Sequence, residues 1–417
     1  MISGQVHLQQ LPLVLAGVLS LAGCGGSSDS TTVTPPVAPP VTPPVVLTGW
    51  DAVRAAARPL VVLTSEFATP HVQPIAVDGW EDGICISRDG LHLYAVYAPA
   101  DLLSYVLGGA DAAHAADYLR GPTLGMDLTT NPPLLSFPTW LHANIVQASR
   151  TAVDQPFSAW RLAAMQRPTW SEGAPFVTGD TGSGWDLFVH TTNEHDPDYK
   201  AHICLARNAA KDPAALGTLL PAPVTTNTTE DNPHIERLDS THLVLFFDSD
   251  DRPGGVGLHD LWLTTSADDG VTWAVPSSAI SLNSTGDEEQ PHLYHDGAGT
   301  WWMYFTASNP DDHQKLAIYR AQQTTVNDWT TWGTRELVVS AGNTAGVGEP
   351  TLTAVGDLSF VVVMEDTVHG TPTNRFDADP WFAPHLPSGI GRKQIAHPPI
   401  PAAAVGISAS IKYAQNR

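Results

Sequence analysis

The chain has 417 residues, with 43 Asp and Glu against 20 Lys and Arg, for a formal net charge of −23. A surface of that sign repels phosphate backbones and anionic lipid, which excludes nucleic acid and leaves neutral glycans, peptides, proteins or cations as partners. With 42% hydrophobic residues and 13 Trp the chain can bury a core, and 34 Gly with 35 Pro indicate many turns.

The first element is a targeting segment. Residues 11–23 (LPLVLAGVLSLAG) form an apolar run too short to cross a bilayer as a helix. The run Leu21-Ala22-Gly23-Cys24 that ends it resembles the lipobox of bacterial lipoproteins. That resemblance implies a signal peptide over 1–23 and lipidation at Cys24. Gly25, where Asp would imply inner-membrane retention, implies an outer-membrane lipoprotein facing the periplasm or the cell surface. One departure is that residues 1–10 carry no Lys or Arg. Residues 24–48 read as an extended Pro/Thr-rich tether, too poor in large apolar side chains to fold.

A repeat dominates the rest. An acidic cluster, then Pro or Gly, then a short apolar strand recurs at Glu81-Asp82-Gly83, Glu172-Gly173-Ala174-Pro175, Glu230-Asp231-Asn232-Pro233, Glu288-Glu289-Gln290-Pro291 and Glu349-Pro350. From Pro175 onward the pivots are 58, 58 and 59 residues apart. Each unit reads as short strands separated by turns, as in HLVLFFDSD then DLWLTTS. Such a period predicts an all-β fold, a β-propeller of five four-stranded blades over 49–390, followed by a tail over 391–417. Six blades follow instead if the long insertion 98–143 of the first unit hides a further blade. Within it, DAAHAADYLR reads as a short helix. The fifth unit lacks a clear fourth strand. Residues 59–64 (PLVVLT) are the candidate to supply it, closing the ring with N- and C-terminal strands.

Two signatures carry further resemblances. Ser266-Ala267-Asp268-Asp269-Gly270-Val271-Thr272-Trp273 resembles the Asp-box of sialidase-type propellers, and Trp332 lies at the spacing of a decayed copy. Ser87-Arg88-Asp89-Gly90, together with Asp251-Arg252-Pro253-Gly254-Gly255 and Asp260-Leu261-Trp262, resembles TolB-like propeller repeats. Both imply fold and almost nothing of function. More weakly, EEQPHLYHDGAGTWWMYFTAS is similar to a blade of the five-bladed furanosidase-type glycoside hydrolases, whose acids sit at the inner ends of different blades.

In a propeller blade the entry to the inner strand and the exit of the second strand lie on one face, so these acids converge on one channel mouth. Three chemistries fit. The carboxylates can fix blade geometry by accepting amide hydrogen bonds, a role that repeats as structural roles do. They can hold a hard cation such as Ca²⁺. Two can act as acid and base on a glycosidic bond, with crowding raising one pKa. The catalytic candidates are Glu81, Asp82, Glu230 and Glu289. The ligand-binding candidates are Glu172, Asp231, His234, His292, Glu349 and Trp80, the last as a sugar-stacking ring. Two functions follow: a monomeric lipoprotein binding a glycan, peptide or protein, and, as the alternative, a glycoside hydrolase or lyase. His190, His195 and His202 have no compact ligand spacing. Cys85 and Cys204, in apolar strand-like runs, are expected as buried unpaired thiols.

Overall fold

The computed structural model describes residues 49–99, 121–126, 143–166, 170–194, 200–278, 280–366 and 375–386. The chain forms two units, residues 1–46 and 47–417, and the described residues all belong to the second. Cys24, the tether, the helix expected at DAAHAADYLR and His195 lie outside them.

The order begins with α1 (Trp50–Ala56), β1 (Leu60–Val61) and β2 (His71–Val72). Blade one is β3 (Trp80–Ile86), β4 (His92–Ala98), β5 (Asn144–Ser149) and β6 (Arg161–Leu162). Blade two is β7 (Trp170–Thr178), β8 (Gly184–Glu194), β9 (His202–Ala210) and β10 (Thr218–Leu219). Blade three is β11 (Asp231–Arg237), β12 (Leu243–Ser249) and β13 (Asp260–Ser266), its fourth strand reduced to the bridge Leu263–Ser277. Blade four is β14 (Glu288–His295), β15 (Trp301–Asn309), β16 (Lys315–Gln322) and β17 (Glu336–Ser340). Blade five is β18 (Gly346–Leu352), β19 (Leu358–Glu365) and β20 (Phe376–Ala383).

Neighbours within each blade are antiparallel. The innermost strands touch in the cycle β3, β7, β11, β14, β18 and back to β3, so the protein is an all-β propeller of five blades. The closing strand differs from the expectation. Residues 60–61 pair with β17 as an outer fifth strand of blade four, where Val61 and Leu63 pack beside Val338 and Val339. The ring is closed by β2, whose His71 and Val72 pair with Phe382 and Trp381. A run rich in Leu and Val suits either edge, and only the reach of the folded chain selects one.

The cores lie between blades. One apolar cluster joins Leu93, Val96 and Val146 to Val361, Ala378 and Phe382, and another joins Phe246 and Leu261 to Met303 and Phe305. The second strands are covered on both faces, which is why HLYAVYA and LVLFFDS read as continuous apolar runs rather than alternating ones. Cys85 and Cys204 are buried thiols on different blades and form no disulfide with each other.

The Ser266–Trp273 turn closes on itself. Ser266 Oγ donates to Asp268 at 2.8 Å, Asp268 accepts from Thr272 N at 2.8 Å and Oγ1 at 2.6 Å, and Trp273 is buried in the blade core.

Candidate active site

All five inner strands carry a β-bulge one to four residues after they begin to pair. Its left-handed residue is Gly83, Ala174, Asn232, Gln290 or Glu349, with φ of 55°, 39°, 48°, 55° and 56°. The next residue is Ile84 or one of Pro175, Pro233, Pro291 and Pro350. A bulge breaks the ladder, so a proline there forfeits no hydrogen bond. Blade one has no proline and needs glycine, because a Cβ on Gly83 would meet Val96 Cγ2 at 2.5 Å. The bulges line an axial cavity of about 40 Å³ together with Phe176, His292 and Thr351. That holds a few water molecules and is too small for a sugar ring.

The bulges also set the register of the acids. Two residues before the left-handed position stand Glu81, Glu172, Glu230, Glu288 and Val347. The four glutamates are 0–1% exposed. Glu81 accepts from Val77 N at 2.8 Å and Trp160 Nε1 at 3.0 Å. Glu230 accepts from Thr226, Thr228 and Arg252, and meets His202 at 2.8 Å. Glu288 accepts from Ser284 and Arg335. At Glu81, Glu230 and Glu288 this repeated position braces the blades, and Glu172 is as deeply buried, so Glu81, Glu172 and Glu230 lie in the scaffold rather than at the mouth.

One residue before the left-handed position stand Asp82, Gly173, Asp231, Glu289 and Gly348. Here the blades differ: three carry a carboxyl group and two carry none. Trp80 Nε1 donates to Asp82. Trp80 is 6% exposed and packs in the core between blades five and one, so it orients Asp82 and offers no stacking face. Asp231 accepts from Asn232 N at 2.8 Å. Glu289 is 6% exposed, and burial pushes its carboxyl up to about 8, with His259 opposing and Asp248, Asp287 and Asp82 adding to the rise.

Other groups knit the mouth. Asp248, at the end of β12, accepts from Asn232 Nδ2 at 2.9 Å and Gln290 N at 2.7 Å, and burial raises its pKa. Gln290 clasps Glu349, donating from Nε2 to Oε1 at 3.1 Å and accepting from Glu349 N at 2.9 Å. Glu349 sits one register later than the other acids, in the left-handed position itself. It accepts from Ile84 N at 2.9 Å, and burial with the adjoining Asp82 carboxyl raises its pKa strongly.

His234 and His292 lie inside the channel, 1% and 7% exposed, rather than on its rim. Their rings are 4.6 Å apart, and His234 is 4.0 Å from the Phe176 ring. Each Nε2 lies within hydrogen-bonding reach of the next blade's amide, Leu293 N at 3.2 Å and Leu352 N at 3.1 Å. Burial holds both imidazoles neutral. His190 is buried against the Thr191 carbonyl, and His202 belongs to the Glu230 network. Among the described residues no group of three or more His, Cys, Asp or Glu is arranged to hold a metal ion.

Gln290, Asp287 and His259 join the site without standing among the sequence candidates. Asp287 lies in the same acidic run as Glu288 and Glu289, whereas nothing local marks His259.

No protein-family model matches the chain, and no curated protein is similar to it in sequence. Solved structures with a similar course of backbone include the catalytic domain of a Coprinopsis cinerea GH62 α-L-arabinofuranosidase, 14% identical over 79% of this chain and 97% of that one, TM-score 0.48. A Podospora anserina α-L-arabinofuranosidase in complex with cellotriose is 13% identical over 77% and 96%, TM-score 0.45. A thermostable family-43 glycoside hydrolase is 15% identical over 74% and 90%, TM-score 0.40. The five-bladed assignment stands on this chain's own strand order.

Proposed function

We propose that the protein is a glycoside hydrolase acting on a neutral glycan at the acidic mouth, with Glu289 as proton donor. The observation that supports this is the asymmetric carboxyl set Asp82, Asp231 and Glu289. It occupies one register position in three of five blades, beside a repeated glutamate position that is spent on the scaffold. Structural roles repeat around a propeller, and catalytic ones are held by single blades.

Cleavage of a glycosidic bond needs an acid for the leaving oxygen and a second carboxylate for the anomeric carbon. A carboxyl pushed up to about 8 keeps its proton at neutral pH. Glu289 then protonates the glycosidic oxygen as the C–O bond breaks. Asp82, oriented by the Trp80 indole, is the second carboxylate. The charge of the mouth favours neutral sugars over uronic acids. Pure glycan or peptide binding leaves the protonated acid without a role.

Incubation of residues 49–417 with a panel of neutral oligosaccharides, read by new reducing ends, tests the proposal. Release by the wild type that is lost in Glu289→Gln and Asp82→Asn supports it. Binding without release in the wild type returns the protein to the binding reading. Lipidation at Cys24 and placement on the outer membrane belong to the same proposal. Incorporation of a fatty-acid analogue into the full chain, lost in Cys24→Ser, tests them.

A further inference from the structure

We propose that His259 is the positioning residue of the acid: its imidazolium, held beside Glu289 by Asp287, stabilises the carboxylate that Glu289 becomes after giving up its proton. This rests on the hydrolase reading above, although the residue and its role come from separate contacts. His259 precedes β13 in blade three, whereas Glu289 is the second residue of β14 in blade four. Two bonds tie His259 to the residues that precede Glu289. His259 Nδ1 meets Asp287 Oδ1 at 3.1 Å, and the His259 carbonyl accepts from Glu288 N at 3.0 Å. Asp287 is steadied in turn by Ser308, whose Oγ donates to Oδ2 at 3.1 Å and whose N donates to the Asp287 carbonyl at 3.3 Å. The histidine is therefore pinned through side chain and main chain to the two residues that immediately precede the acid.

The charges around the acid explain why it matters. Facing Glu289 are the carboxyls of Asp248, Asp287 and Asp82, each of which disfavours its ionisation, and the cation His259, which favours it. Facing His259 are Asp287, which bonds it, and Asp248 and Asp250, which raise its pKa despite burial, to about 9, with Glu289 adding to the rise once it is ionised. Its Nδ1 proton is engaged by Asp287, and Nε2 has no partner among the described residues. Proton transfer to a leaving group converts Glu289 into an anion inside a ring of carboxylates. A fixed imidazolium at that spot is a preorganised countercharge, present before the reaction and needing no reorientation during it.

The test reads Glu289 directly and activity separately. In protein labelled with ¹³C-glutamate at the carboxyl carbon, the Glu289 resonance is assigned by its loss in Glu289→Gln and titrated against pH. His259→Gln is expected to move its midpoint up by about one unit, a tenfold change in the ionisation constant, and His259→Arg to restore it. The alkaline limb of the pH–rate profile should follow the same shift, with kcat falling more than KM rises. An unchanged Glu289 midpoint in a folded His259→Gln protein, with pH limbs unmoved, overturns the role of His259 and reduces it to a brace. If His259→Gln fails to fold, His259→Asn, which removes the same cation and leaves the surrounding carboxyl groups in place, is titrated instead with the same two outcomes. A wild type that cleaves no glycoside defeats the hydrolase reading and still leaves the titration to decide the charge coupling.

Discussion

Arg54 Nε donates to Asp379 at 2.7 Å across 325 residues of sequence. Its other nitrogens reach Asp377 at 3.0 Å and Asp78 at 2.8 Å, and the Asp377 and Asp379 side chains are 0% exposed. Burial works against the Arg54 charge, and Asp379 and Asp377 outweigh it. One guanidinium thus ties α1 to the last blade and to the chain entering the first, at the seam that a closed ring must seal. Replacing it with Met should cost about 3–5 kcal/mol, because two carboxylates stay buried without their cation. Chemical denaturation measures the loss, and its persistence in high salt separates this pair from a surface ion pair.

The two glutamate registers should respond oppositely to the same substitution. Glu230→Gln disturbs the bonds from Thr226, Thr228, Arg252 and His202. It should lower stability by about 1–3 kcal/mol while activity survives in the folded fraction. Glu289→Gln should leave melting unchanged or raised at neutral pH and cut turnover by about 10²–10⁴. Paired thermal melts and reducing-end assays read both.

The contribution of the buried carboxyl groups to stability should fall as the pH rises from about 4.5 to about 8. Burial pushes Glu236 up to about 7 and Glu289 up to about 8, from an ordinary value of 4.5. Across that window the unfolded chain has released these protons and the native state retains them, so ionisation favours unfolding by up to about 1.4 kcal/mol per unit for each group. Glu236→Gln should flatten the slope below about 7, and Glu289→Gln should flatten it up to about 8. Denaturant midpoints measured at several pH values give the result.

The channel imidazoles act on the acid side. Burial keeps His234 and His292 neutral well below their usual 6.5, so the unfolded state takes up protons that the native state refuses as the pH falls below 6.5. His292→Gln keeps an acceptor for Leu352 N without titrating. It should unfold at a lower pH than the wild type, followed by tryptophan fluorescence.

Gly83→Ala should destabilise blade one by about 1–3 kcal/mol, combining a left-handed backbone with a collision at Val96. Pro175→Ala, at a bulge that already holds a left-handed alanine before it, should cost less. Melting temperatures of the two variants decide between them.

Much of the ring was legible because its cause is local. The recurrence of Pro175, Pro233, Pro291 and Pro350 marks a bulge that needs a residue without a ladder bond, and β12 or β15 announce themselves as apolar runs. The site was legible only by region. Glu230 and Asp231 are adjacent in the chain and equally acidic, yet strand alternation sends one to Arg252 and the other to the mouth. Glu349 follows the same repeat but stands in the left-handed position itself, one step out of line with Glu289. The closing strand was legible as a need and not as a place, since Leu60–Val61 and His71–Val72 are both short and both pair.

By itself the sequence determined an all-β repeat, its blade period and the acidic character of one mouth, because side-chain periodicity and turn chemistry act over a few residues. The tertiary structure decided which carboxyl groups are scaffold and which face the channel, which strand closes the ring, and that His259 stands beside Glu289. Those outcomes depend on the bulges and on contacts between blades, where burial and neighbouring charge, not residue type, set what a carboxyl group does.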